Sequence, residues 1–483
     1  MMKKIALIAA ALMLAVSALA FAACGKEEKD GTLYRISAAL DADNMIVTAS
    51  MDVHYFNSGE SGLDDLQFML YPSAYREGAR YAAVSESEQG EAYPHGMSYG
   101  GVTISEVTVG GESCEWAVGG EDEDVLIVSV PEIAPGGYAD VSVKFTLALP
   151  ETRNRFGHMD GVVNLGNWYP IVAMRDESGW RTDPYYSYGD PFYSSVADYE
   201  VTFTVPEGWE VAGTGSVSAS LGDGNATYSF TASGVRDFAM SASANYVCAE
   251  RETNGVKVRY YSSSEDAEGL DTACRAVETF SRLFGEYPYD TLSVAITPFK
   301  EGGMEYPSFV MVSDALGGDM KTEAIVHEIS HQWWYAAVGN DQINEPWLDE
   351  GLAEYSTTLY YENNPDLGVT TQDRIADAMQ SYILFSDVYS DTEGIGRMDR
   401  PLGSYSSPTD YAFHAYVKGE LMFDSLRHII GDEAFFNGLK SYYSDYSGRV
   451  ADAGCLIAEF EKSSGLGLVG FFESWLSGTA SVM

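Results

Sequence analysis

The feature that most constrains the fold is a change of hydrophobic period near residue 265. From about residue 33 to 260 apolar and polar side chains alternate, as in Val141-Ser142-Val143-Lys144-Phe145-Thr146-Leu147. A period of two puts the apolar set on one face of a half-buried strand. Similar runs occupy Ile46 to Phe56, Val125 to Val130, Tyr199 to Val205 and Val256 to Tyr261, separated by turn formers such as Pro135-Gly136-Gly137 and Pro206-Glu207-Gly208. These turns favour an antiparallel β-domain of sandwich or saddle type. Two stretches, Tyr71 to Gly100 and Arg153 to Tyr193, break the rhythm and read as long loops directed towards another domain.

Beyond residue 265 the apolar spacing becomes helical over Leu270 to Phe284, Lys321 to Val338, Tyr411 to Ile430, Asp432 to Tyr443 and Cys455 to Lys462. One strand pair is expected to survive there, Thr291 to Thr297 with Phe309 to Val312, flanking the turn Gly302-Gly303. The chain therefore reads as α+β, with its sheet-forming half first. Its 483 residues are 46% hydrophobic, enough for a sizeable core. Against 72 acidic residues stand 28 Lys and Arg, a net charge of -44. Nucleic acid is excluded as a partner on that ground, while cations and basic substrates are favoured.

Residues 1–23 read as a targeting segment: Lys3 and Lys4 precede an apolar run that ends at Ala22-Ala23-Cys24-Gly25. That ending resembles a bacterial lipoprotein signal, which implies lipidation at Cys24 and attachment to the outer, extracytoplasmic face of the cell membrane. An uncleaved anchor helix is the alternative. Residues 24–32 read as a solvated tether. Four further cysteines, Cys114, Cys248, Cys274 and Cys455, show no metal-binding spacing, and no disulfide is assigned.

The most specific motif is His327-Glu328-Ile329-Ser330-His331. On a helix, residues four apart share a face, so both imidazoles can bind one zinc ion while Glu328 faces the open coordination position. A third protein ligand is then needed. Downstream, Trp347-Leu348-Asp349-Glu350-Gly351-Leu352-Ala353-Glu354-Tyr355 follows at a spacing of eighteen residues, 332–349, between His331 and Glu350. This arrangement resembles the gluzincin aminopeptidases of the M1 family, with Asp349 and Leu352 as departures from the family's W-L-N-E-G-F-A-E-Y.

The resemblance implies one zinc ion per chain on His327, His331 and Glu350, with Glu354 orienting one imidazole. Gly302-Gly303-Met304-Glu305 is similar to the family's G-x-M-E-N motif, which implies that Glu305 binds the substrate's free α-amine. Tyr306 stands where Asn is common. Tyr416-Val417-Lys418-Gly419 resembles Y-x-K-G and implies that Tyr416 donates a hydrogen bond to the oxyanion. The implied division is an N-terminal β-domain over 33–260 and a thermolysin-like catalytic domain over 261–483, without the large C-terminal helical domain of many relatives.

The implied activity is removal of one N-terminal residue from peptides by zinc-activated water, with Glu328 as general base. A zinc endo- or dipeptidyl peptidase and a non-catalytic surface binding lipoprotein remain as alternatives. In the family the β-domain also supplies a polar residue to the amine. The segments Asn167-Trp168-Tyr169-Pro170 and Gly189-Asp190-Pro191-Phe192 are where it is sought, and none is assigned. Gly96-Met97-Ser98-Tyr99-Gly100 satisfies the serine-hydrolase string but lacks the strand before it and the helix after it.

Overall fold

The computed structural model describes residues 31–389 and 396–480. The signal reading of 1–23, Cys24 and most of the tether lie outside the described residues. Most of the alternating runs form an eight-stranded sheet in the order Ser216–Gly222, Asn225–Val235, Ala197–Pro206, Leu33–Asp41, Ile46–Phe56, Tyr138–Ala148, Gly101–Val109, Glu112–Ser113, whereas Val125–Ile133 lies in a four-stranded sheet beside Leu63–Met69 and Val256–Ser262 joins the sheet of the second half. From Val47 to Val53 and from Val141 to Leu147 every second side chain is buried, as the period of two requires. One pairing departs from the antiparallel expectation. Leu33–Asp41 lies parallel to Ala197–Pro206, with Ile36 opposite Val201. Alternation specifies which face of a strand is buried but carries no information about the direction of its neighbour.

A five-stranded sheet underlies the second half, ordered Val247–Thr253, Val256–Ser262, Thr291–Thr297, Phe309–Ser313, Gly303–Met304. Thr291–Thr297 and Phe309–Ser313 pair in parallel, and Gly303–Met304 folds back antiparallel on Phe309–Ser313. The expected strand pair is therefore the centre of a larger sheet. Tyr306, Phe309 and Met311 share one apolar core with Tyr34, Phe68 and Trp168 of the first half, so the two halves are packed together.

The longer helices are α1 (Ala267–Phe284), α2 (Gly318–Ser330), α3 (Trp347–Asn363), α4 (Thr371–Val388), α5 (Lys418–Ile430), α6 (Asp432–Tyr446), α7 (Ala453–Ser464) and α8 (Val469–Leu476). In α1 the Asp266 side chain accepts the Gly269 N–H as N-cap, and Leu270, Cys274, Val277, Phe280 and Phe284 are buried along one face. The helix expected to run from Lys321 to Val338 stops at Ser330, and His331 is its C-cap. Beyond it the chain turns back, with Tyr335 N–H donating to Val338 O and Tyr335 at φ 121°. The apolar residues Trp333, Trp334 and Val338 are buried as expected, but from a turn.

Pro408–Ala412 is helical, Phe413–Val417 is a π-helical turn, and α5 continues from Lys418. Helix α3 crosses α5 closely: a Cβ on Gly419 would overlap the Gly351 backbone, and one on Gly351 would be tight against Gly419. Cys114, Cys248, Cys274 and Cys455 are free.

Candidate metal centre and active site

Helix α2 presents His327 and His331 one turn apart, and α3 brings Glu350 against them. His327 Nε2 lies 3.1 Å from His331 Nε2, and Glu350 Oε2 lies 3.2 Å and 3.3 Å from these two atoms. The other ring nitrogens are engaged elsewhere. His331 Nδ1 donates to the Trp334 carbonyl at 3.0 Å, and His327 Nδ1 lies 3.2 Å from Glu354 Oε2. With both protons held at Nδ1, both Nε2 lone pairs converge on one point beside a carboxylate oxygen. Tetrahedral ligands about 2.0 Å from zinc stand roughly 3.3 Å apart, so this donor set fits that ion in type and spacing.

Electrostatics favour a cation at this point. Burial opposes a charge on the histidines, yet hydrogen bonding to Glu350 and Glu354 holds His327 well above the usual imidazole range. Burial also acts against the Glu350 carboxylate, but the two histidines outweigh it and hold its pKa well below normal. Glu328 lines the same cavity, and burial pushes its carboxyl up to about 7 against the pull of His327 and His331. Gly303 is required opposite it, because a Cβ there would overlap the Glu328 side chain.

The cavity, of about 430 Å³, is also lined by Gly302, Glu305, Asp190, Arg155, Tyr411 and Tyr416. Glu305 is 3% exposed and its Oε1 accepts from Gln342 Nε2 at 3.1 Å. Ligand atoms of Glu305, Glu328 and His331 lie within 4.8 Å of one another. Met304 is buried in the short edge strand and packs into the shared core. Tyr416 O–H donates to Glu350 Oε1 at 2.5 Å and stacks on His327, while Tyr411 O–H donates to the same oxygen at 3.4 Å. The motif residues are thus brought together around one cavity, except Met304, whose side chain faces the core and not the substrate space.

Tyr306 points out of the cavity and donates to Asn167 Oδ1 at 2.9 Å. Its identity therefore shapes the contact between the halves. Two polar residues near Glu305 went unassigned in the sequence. Asp190 lines the cavity and accepts from Arg155 at 2.7 Å, both buried. Gln342 bridges Glu305 to Asp349, donating to Asp349 Oδ2 at 2.8 Å. The Gly189-Asp190-Pro191-Phe192 segment had marked the region of the first, but nothing in the local text marks Gln342.

Two histidines four apart on one helix, a glutamate between them and a third donor from the next helix define a protein of the HExxH class with a candidate zinc centre. Residues 268–475 match the Peptidase family M1 domain. The resemblance seen in its motifs is borne out. The chain is similar to aminopeptidase B of Rattus norvegicus, 30% identical over 179 residues, covering 35% of this chain and 27% of the relative. It is similar to aminopeptidase N of Lactobacillus delbrueckii subsp. lactis, 23% identical over 412 residues, covering 78% of this chain and 46% of the relative. The chain thus spans less than half the length of either curated relative. Among solved structures it resembles an M1 zinc metallopeptidase from Deinococcus radiodurans with a TM-score of 0.68 at 18% identity, over 95% of this chain and 97% of that one. That likeness bears out the expected fold class.

Proposed function

We propose that the protein is a zinc-dependent aminopeptidase that removes one N-terminal residue from peptides. The observation that carries this reading is the placing of the three-donor cluster, Glu328 and a buried Glu305 around one cavity. His327 Nε2, His331 Nε2 and Glu350 would hold the zinc, which when bound supplies Lewis acidity towards a water molecule and the scissile carbonyl. Glu328 is the general base: it takes a proton from the attacking water and returns it to the leaving amine. Tyr416, whose hydroxyl sits against Glu350, donates to the oxyanion. Glu305 pairs with the substrate ammonium and sets the register, with the Asp190 carboxylate adding negative charge at the same end. Glu354 orients His327 by accepting its Nδ1–H.

Lys3, Lys4, the apolar run and Ala22-Ala23-Cys24-Gly25 support export and lipid anchoring at Cys24 on the outer face of a bacterial membrane. Among the described residues no helix is long and apolar enough to cross a membrane. Lipid labelling that is lost in Cys24→Ser tests the anchor, and persistence of the label contradicts it.

The catalytic reading is tested by hydrolysis of fluorogenic aminoacyl amides by the protein, with chelation and zinc add-back. Zinc-dependent cleavage of free-amine but not N-acetylated substrates is expected. Cleavage of blocked peptides would move the reading to an endopeptidase. Zinc bound without any cleavage would move it to a binding protein.

A further inference from the structure

Helix α4 carries none of the motif residues, yet Arg374 near its start reaches the wall of the active-site cavity. Its side chain is 11% exposed. The guanidinium engages both neighbouring helices. Nη1 donates to Glu323 Oε1 of α2 at 2.9 Å, Nη2 to Glu354 Oε1 of α3 at 3.2 Å, and Nε to Thr358 Oγ1 of α3 at 2.7 Å. Its carbon lies 5.2 Å from the centre of the Tyr361 ring. Thr358 passes a hydrogen bond on to Glu420 of α5. Glu354 therefore has two ends: Oε1 held by Arg374 and Oε2 facing His327 Nδ1 at 3.2 Å.

We infer that Arg374 is a positioning residue for the metal centre, acting on His327 through Glu354. A buried carboxylate is costly unless a cation pairs with it. When His327 serves as a metal ligand it is neutral and can offer Glu354 only a hydrogen bond. Arg374 supplies the compensating charge, and its fork fixes the carboxylate plane so that the second oxygen meets the imidazole N–H. The same contacts tie α2, which carries both histidines, to α3, which carries Glu350. A lysine could satisfy one of these partners but not all three in one geometry.

The inference rests on the proposed zinc site, and its test separates the two. Zinc affinity of the full chain is measured by competition with a chromophoric chelator for wild type, Arg374→Met, Glu354→Gln and the double variant. Circular dichroism of the metal-free proteins monitors the fold. Arg374→Met keeps the apolar stem and is expected to weaken zinc binding about 10- to 100-fold, as outer-shell changes do. Glu354→Gln should weaken it similarly, and the double variant should be no worse than the weaker single, because one acts through the other.

Wild-type zinc affinity in Arg374→Met, or losses that multiply in the double variant, would overturn the inference alone. Failure of the wild type to bind zinc would overturn the functional reading beneath it. If Arg374→Met does not fold, Arg374→Lys carries the test, with a loss of about 3- to 10-fold expected and an unchanged affinity overturning the inference.

Discussion

The two ends of the cavity are built in different ways. The metal end comes from two consecutive helices: His327 lies in the last turn of α2 and His331 caps it, and Glu350 stands in the first turn of α3. The amine end is assembled from separate pieces of chain. Glu305 follows a two-residue edge strand, Asp190 and Arg155 come from long segments of the first half, and Gln342 comes from the loop before α3. The metal end therefore depends on helix geometry, which is local, while the amine end depends on packing between the halves. Damage to α2 or α3 should abolish the chemistry, whereas damage to the contact between the halves should first blunt recognition of the amine.

The largest effect expected is at the metal end. Glu350→Ala removes one of three protein ligands and should weaken zinc binding about 10³-fold or more, with activity lost at ordinary zinc concentrations. Metal analysis after dialysis checks it. Next is Glu305→Gln, which should leave zinc bound, lower kcat/KM for free-amine substrates about 100-fold, and narrow the preference over N-acetylated ones. Equal loss on both substrate types would mean that Glu305 does not read the amine.

The contact between the halves gives a smaller effect. Tyr306, next to Glu305, bonds Asn167, whose amide donates to Asp237, and Tyr169 O–H donates to Asp237 Oδ1 at 3.1 Å. Burial pushes the Asp237 carboxyl up to about 7, against the pull of the Phe238 N–H and Tyr169. Its folded pKa lies above the unfolded value near 3.9, so the folded state keeps its proton longer. Stability from this group is therefore present at low pH and lost as pH rises from about 4 to 7. Denaturant unfolding should show wild type losing on the order of 4 kcal/mol relative to Asp237→Asn across that window. A constant difference between the two proteins would show that Asp237 does not titrate there.

The same contrast explains what could be read in the sequence. The helix spacing of His327 and His331 and the eighteen residues before Glu350 were legible because helix geometry turns spacing into position. Glu305 was legible through its motif, but the direction of Tyr306 was not, because its partner Asn167 lies 139 residues away. The parallel pairing of Leu33–Asp41 with Ala197–Pro206 was hidden for the same reason: strand alternation specifies a face and leaves the neighbour open. Helix α4 went unread because only Ala378, Tyr382 and Phe385 are buried on it, and Arg374 went unread with it. The end of α2 at Ser330 was missed because Trp333, Trp334 and Val338 keep apolar spacing while folding as a turn.

General-base catalysis by Glu328 is tested by Glu328→Gln, an isosteric change beside a metal ligand that leaves all three donors in place. Zinc content and kcat on a free-amine substrate are measured on the same preparation. One zinc per chain is expected, as in wild type, with kcat reduced about 10²- to 10⁴-fold, the range of a lost general base. A Glu328→Gln protein that binds zinc and turns over at the wild-type rate would contradict that role.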